Sequence, residues 1–254
     1  MHVGSRRRCD SVEMTVGHIS GACGAERREV DCLSPWLSRH AAVMLAAVAA
    51  TVVLPSGIWL AVAVLASFAE LGYREWARLT VLQPYGGYAN QLTTLRLGLL
   101  LIAAALMSEL PNLWLWLLLA ANVAVDVADG YVARRTQQVS PFGAVFDREV
   151  DAVFVLVAYL YFFVVEGLPA WVLIPGLLPY VYRLSTLARR SKPAPEHRER
   201  LAPYLAGANF VVLLIAVGAP PELQLRVVLL SAALVGVSFL VSFVNLYLNE
   251  YSAS

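Results

Sequence analysis

The chain has 254 residues, of which 59% are hydrophobic and 15% are charged, and its mean hydropathy is +0.65. This balance lies well above that of soluble domains and argues against a soluble fold. The net charge of +1 gives no basis for a nucleic-acid partner. Several apolar runs approach the roughly 20 residues that a helix needs to cross a bilayer, so the lipid bilayer is the expected solvent.

The first 38 residues are polar, and we expect them to form a disordered cytosolic leader. Arginines near the start are followed by polar residues rather than by an apolar core, so no cleavable signal peptide is visible. The three cysteines of the chain all lie in this segment, match no zinc spacing and are odd in number, so reduced thiols are expected. Met14 and Met44 stay open as alternative starts of translation.

Apolar runs between glycine, proline and charge breaks predict eight membrane helices. They cover residues 39–54, 57–72, 92–108, 112–135, 143–165, 169–189, 203–218 and 225–249. The first two are short enough for a re-entrant hairpin. The segment 73–79 mixes charges with an aromatic residue, which fits a helix in the headgroup region and equally an ordinary loop. The predicted fold is an all-α, polytopic transmembrane helix bundle.

Basic residues concentrate in alternate connections between these spans. They lie in the leader, after residue 72, at residues 134 and 135, and between residues 189 and 200, whereas the opposite connections carry only Arg226. Since loops rich in lysine and arginine stay on the cytosolic side, both termini and the basic loops should face the cytosol.

Four aspartates lie inside predicted spans, where charged groups usually mark function. Asp126 and Asp129 are three residues apart in one span, and Asp147 and Asp151 are four apart in the next, so each pair shares one helix face. If the two spans are antiparallel neighbours, Asp126 and Asp151 reach a similar depth, with the other two in a shallower layer. The sequence therefore predicts one shared acidic cavity.

Divalent cations would explain this cavity, because four close carboxylates could not all stay ionised without them. A set of carboxylate oxygens suits Mg²⁺ or Mn²⁺, and two ions about 3.5–4 Å apart are the usual arrangement for phosphoryl chemistry. Two alternatives stay open. The acids could form ion pairs with Arg134, Arg135 and Arg148, or they could relay ions or protons in a non-enzymatic transporter.

The stretch from Asp126 to Asp151 reads D-x2-D-G-x2-A-R-x8-G-x3-D-x3-D, which resembles the signature of the CDP-alcohol phosphotransferase family at all eight fixed positions. The stretch Asn90–Arg96 resembles the helix start that precedes this signature, although Ala89 stands where proline is common. The resemblance covers about residues 88–250.

The resemblance implies a six-helix catalytic core preceded by two additional N-terminal helices. It implies that two divalent cations, Mg²⁺ or Mn²⁺, are bound by the four aspartates, and that Asp151 is also the base that deprotonates the acceptor hydroxyl. The side of the site that holds CMP would be lined by Gly130, Ala133, Arg134 and Gly143.

The reaction implied is transfer of a phosphatidyl or other substituted phosphoryl group from a CDP-alcohol to a second alcohol, with release of CMP. We expect CDP-diacylglycerol as donor, a polar alcohol as acceptor, a role in phospholipid biosynthesis and a location in the bacterial inner membrane. A variant with diacylglycerol as acceptor stays open, and a homodimer is implied by the resemblance alone. The corresponding domains are a leader at 1–38, two helices and an interfacial segment at 39–88, and the catalytic domain at 89–254.

Further contacts are suggested by position along the helices. Asn122 lies one turn before Asp126 and could contact substrate or bond a neighbouring helix. Arg183 could contact an acceptor phosphate or extend to the membrane interface. Arg96 could border the nucleotide site, whereas Glu149 should point away from the cavity because it is two residues from both Asp147 and Asp151.

Overall fold

The structure is a computed structural model that describes residues 19–79, 87–136, 140–188 and 202–251. In these ranges the chain contains eight α-helices and no strand, which confirms the predicted all-α bundle. The helices are α1 (Ile19–Val53), α2 (Ile58–Leu79), α3 (Tyr88–Leu106), α4 (Asn112–Thr136), α5 (Pro141–Val164), α6 (Ile174–Ala188), α7 (Ala202–Gly218) and α8 (Pro221–Tyr251). A 3₁₀ helix, Ala170–Leu173, precedes α6.

Three described segments are long and apolar enough to cross a membrane, namely Leu33–Val53, Tyr88–Leu106 and Pro221–Val244. Shorter apolar helices cover Asn112–Ala128 and Ala206–Gly218. An 18-residue apolar stretch within Pro221–Val244 is only 17% buried inside the bundle, and large apolar side chains such as Leu229, Val237 and Leu240 point outward. An outward face of this kind suits lipid rather than water.

The N-terminal region differs from the sequence prediction. Helix α1 begins at Ile19, inside the stretch 1–38 that was expected to be disordered, while residues 1–18 lie outside the described part. A narrow apolar stripe at helical spacing is buried there, formed by Leu33, Trp36 and Leu37. The polar average composition of the leader concealed this stripe. Segment 73–79 likewise forms the end of α2 rather than a separate interfacial helix or a loop.

Helix α5 is the central helix of the bundle and packs against α1, α3, α6 and α7. Every residue from 153 to 162 is buried, as expected for a helix that is apolar on all sides. Its start is fixed by Ser140, whose hydroxyl accepts a hydrogen bond from the Gly143 N–H at 3.0 Å, and by Pro141 in the first turn. This fixed start determines where the acids at 147 and 151 lie.

Helix α3 lies between the two acid-bearing helices and packs against both α4 and α5. Among the described residues, α3 packs more extensively against each of these helices than they pack against each other. The sequence prediction placed α4 and α5 next to each other, and in the structure each of them packs most extensively against α3.

The α1–α2 hairpin is joined closely to α3 at Gly57, and replacing this glycine by alanine should destabilise the protein. A Cβ at position 57 would lie 2.0 Å from the backbone oxygen of Ala104, so the hairpin would have to move away. We expect a loss of about 1–3 kcal/mol in the free energy of unfolding. Thermal unfolding in detergent measures it.

Gly98→Ala is the matched control, because Gly98 lies inside α3 and an added Cβ there meets nothing within 4 Å. Alanine favours a helix over glycine by about 1 kcal/mol, so this variant should unfold at the same or a higher temperature. Equal unfolding temperatures of the two variants would contradict the close approach of Gly57 to the Ala104 backbone.

Candidate metal centre

Three of the four predicted acids meet at one place. One carboxylate oxygen from each of Asp126, Asp147 and Asp151 lies within 4.8 Å of the others. Their side chains are 28%, 44% and 30% exposed, so a ligand can reach them from outside the bundle. Asp147 and Asp151 share a face of α5 as their spacing predicts, and Asp126 approaches from α4. The donor set of carboxylate oxygens fits a hard divalent cation.

Arg96, on α3, lies in the middle of these acids. Its Nη1 is 2.8 Å from Asp126 Oδ1 and 2.5 Å from Asp147 Oδ1. Its Nη2 donates to Asp151 Oδ1. The Arg96 side chain is fully buried, so the acids form its surroundings in place of water. The predicted pairing of the acids with arginines is thus realised for these three acids through Arg96, whereas the side chains of Arg134 and Arg135 lie outside the described part of the structure.

Asn122 supports this arrangement from α4. It is almost fully buried, and its Nδ2 donates a 2.8 Å hydrogen bond to the backbone oxygen of Arg96. Of the two roles suggested by the sequence, the structure therefore gives Asn122 the bond to a neighbouring helix. Among the described residues, neither Asn122 Oδ1 nor Arg96 Nε has a hydrogen-bond partner.

Gly143 lies where α3 approaches the first turn of α5. A Cβ at this position would lie 2.8 Å from Asn90 Oδ1 and 3.1 Å from Ser140 Oγ. A small residue is therefore needed here for packing and for the helix cap. The assignment of Gly143 to the CMP site stays a prediction.

Four further predicted site residues lie in the last turns of α4. These are Asp129, Gly130, Ala133 and Arg134. The side chains of these four residues lie outside the described part of the structure. Their assignment to the metal and CMP sites stays a prediction.

A second group of charged residues lies on the opposite face of α5. Glu149 is 3% exposed and accepts a hydrogen bond from Arg183 Nη2 on α6. Its other oxygen lies 3.8 Å from Nε2 of His40, a fully buried residue of α1 whose Nδ1 is 2.8 Å from Ser67 Oγ on α2. Arg183 is thus bonded inside the bundle rather than extended to the membrane interface.

The sequence did not predict the positions that Arg96 and His40 take in the structure. Arg96 was expected only to border the site, although a charge inside an apolar span is the same signal that identified the acids. His40 was not singled out, because a lone histidine in an apolar helix gives no indication of its partner. The offset of two residues did predict correctly that Glu149 faces away from Asp147 and Asp151.

Comparison with known families agrees with the signature. Residues 87–244 match the sequence model of a family described as CDP-alcohol phosphatidyltransferase. The matched stretch covers more than half of the chain and includes Arg96 together with all four acids. Neither the curated proteins nor the solved structures include a significant match.

Proposed function

The chain belongs to the CDP-alcohol phosphatidyltransferase family, and on this basis we propose that it is a membrane transferase that moves a phosphatidyl group from CDP-diacylglycerol to a polar alcohol and releases CMP. The observation that carries the proposal is the convergence of Asp126, Asp147 and Asp151 at one partly exposed place. These are signature positions of the family, and they come from α4 and α5, which both pack against α3.

Two divalent cations, Mg²⁺ or Mn²⁺, are part of the proposal, and the ligands would be Asp126, Asp129, Asp147 and Asp151. When bound, such cations neutralise phosphate charge and make CMP a better leaving group. Three of the four carboxylates offer oxygens close enough together to serve a common centre. Arg134, Gly130, Ala133 and Gly143 are proposed to hold the CMP part of the donor.

Asp151 is proposed as the base that takes the proton of the acceptor hydroxyl. Its Oδ1 accepts a hydrogen bond from Arg96, which leaves Oδ2 for that proton. Arg96 also fixes the direction of this carboxylate within the pocket, which a base requires. The partly exposed side chain allows the hydroxyl to approach from the open side of the acids.

Arg183 is proposed as a contact to the acceptor, with Glu149 as its fixed partner. Because Glu149 is nearly buried and bonded to Arg183, the guanidinium is held in one orientation on α6. Hydroxyl or phosphate oxygens of an acceptor could then bond to the remaining N–H groups. The cytosolic orientation of the site and of both termini, the inner-membrane location, the homodimer and a catalytic domain that follows residue 88 belong to the same proposal.

The direct test is CMP release by the purified full-length chain. CDP-diacylglycerol and Mg²⁺ or Mn²⁺ would be supplied with glycerol 3-phosphate, serine, inositol, inositol phosphate or phosphatidylglycerol. We expect CMP release that depends on metal and on one of these acceptors. A CDP-linked small alcohol with diacylglycerol tests the reverse assignment of donor and acceptor. Absence of CMP release in every combination, from folded protein, would refute the proposed reaction.

A further inference from the structure

Arg96 contacts the oxygens that a divalent cation would use. The Oδ1 atoms of Asp126, Asp147 and Asp151 all lie within hydrogen-bonding distance of its two terminal nitrogens. The same three residues offer the oxygens that lie within 4.8 Å of one another. The guanidinium and a metal ion would therefore interact with the same negatively charged carboxylates.

Arg96 cannot avoid this conflict by losing its proton or by moving into water. The guanidinium stays charged at all ordinary pH values. The side chain is fully buried, and the backbone of Arg96 is tied to α4 by the hydrogen bond from Asn122. A cation bound by the acids would lie a few ångströms from a fixed positive charge, and such charges repel each other strongly where water is scarce.

Each carboxylate also has a second oxygen, so the conflict can be resolved without unfolding. A small rotation of an aspartate side chain turns one oxygen toward a cation on the open side and leaves the other near Arg96. The 28–44% exposure of the three acids, against a fully buried arginine, indicates that the open side lies opposite Arg96. Binding would then cost one or more of the arginine bonds.

We infer that Arg96 is a positioning residue that holds the three acids together and competes with the divalent cations for them. This inference rests on the proposed metal centre. Without a metal, Arg96 prevents the repulsion that would separate the three carboxylates. With a metal, the same charge lowers the affinity, so that the cation is bound less tightly and can exchange more readily.

The test compares Mn²⁺ binding and thermal unfolding in the full-length protein in detergent. Free Mn²⁺ is followed by its paramagnetic resonance signal during titration, and unfolding is followed in EDTA. In Arg96→Gln we expect Mn²⁺ to bind about tenfold more tightly or better, because a nearby positive charge is gone. We also expect unfolding in EDTA at a lower temperature, because the acids then repel each other. A structural role alone would lower the unfolding temperature without tightening Mn²⁺ binding.

Arg183→Gln is the matched control, because it removes a bonded arginine that contacts Glu149 and none of the three acids. It should also unfold at a lower temperature in EDTA, yet its Mn²⁺ affinity should equal that of the unmodified protein. Arg96→Lys keeps one charge with a different shape, and its Mn²⁺ affinity should lie between those of the unmodified protein and Arg96→Gln.

If Arg96→Gln folds only when Mn²⁺ is added, that result also supports the inference, because the cation then replaces the missing charge. Unchanged or weaker Mn²⁺ binding in folded Arg96→Gln would overturn the inference. If that variant does not fold even with Mn²⁺, an unchanged Mn²⁺ affinity in Arg96→Lys would overturn it. These results concern Arg96 alone, whereas failure of the unmodified protein to bind Mn²⁺ would refute the metal centre and the inference together.

Discussion

Replacing Asp151 by asparagine should reduce CMP release by at least about a hundredfold, the lower end of what a general base contributes. The amide keeps the size of the carboxylate and can still accept the hydrogen bond from Arg96, so the bundle should fold as before. The change removes the charge and the basic oxygen that the proposed reaction needs. Asp147→Asn should cause a loss of similar size through the metal. The measurement is CMP release at saturating donor and metal, beside thermal unfolding.

Glu109→Gln serves as the control for these substitutions, because Glu109 is an exposed acid in the connection between α3 and α4. It should leave CMP release unchanged. If Asp147→Asn and Asp151→Asn retained more than a small part of the activity, the proposed site would be wrong.

The same variants separate two roles of Asp151. If its carboxylate acts mainly as the base, Asp151→Asn should still bind Mn²⁺ while turnover is lost. If it acts mainly as a ligand, Mn²⁺ affinity and turnover should fall together, as they should in Asp147→Asn. Titration with Mn²⁺ decides between these roles without reference to the rate.

Replacing Glu149 by glutamine should have the largest effect on stability. The change leaves Arg183 without its charged partner in the interior, and breaking a buried pair in this way costs about 3–5 kcal/mol. It also removes the negative charge through which Glu149 connects α5 with Arg183 on α6. We expect a clear fall in the unfolding temperature in detergent.

Glu70→Gln is the matched control, because Glu70 also pairs with arginines but is 34% exposed. Exposed pairs contribute about 0–1 kcal/mol, so this variant should unfold close to the unmodified protein. The double substitution Glu149→Gln with Arg183→Met should recover much of the stability, since it removes both charges. If Glu149→Gln alone proved as mild as Glu70→Gln, the pair would not be holding the helices together.

Several parts of the fold and the site could be predicted because they depend on residues close in sequence. Residues three or four positions apart lie on one face of a helix, and residues two apart lie on opposite faces. The sequence therefore predicted that Asp147 and Asp151 share a face of α5 and that Glu149 points the other way. The signature likewise identified the acids that converge. The start of α1 was missed because composition was averaged over the leader, whereas Leu33, Trp36 and Leu37 form a narrow stripe.

By itself, the sequence determined that the chain folds as a membrane helix bundle and that it belongs to a family of CDP-alcohol transferases. It also determined which acids share a helix face. The membrane bundle follows from hydropathy, the shared helix face from short-range periodicity and the family from the signature, and none of these needs knowledge of neighbours in space. Only the tertiary structure decided that α3 packs against both α4 and α5, that Arg96 lies among the three acids, and that His40 and Arg183 meet Glu149. Such contacts join residues that are 26 to 109 positions apart in the sequence. Helical periodicity shows which residues share one face of a helix, but it does not show which other helix packs against that face.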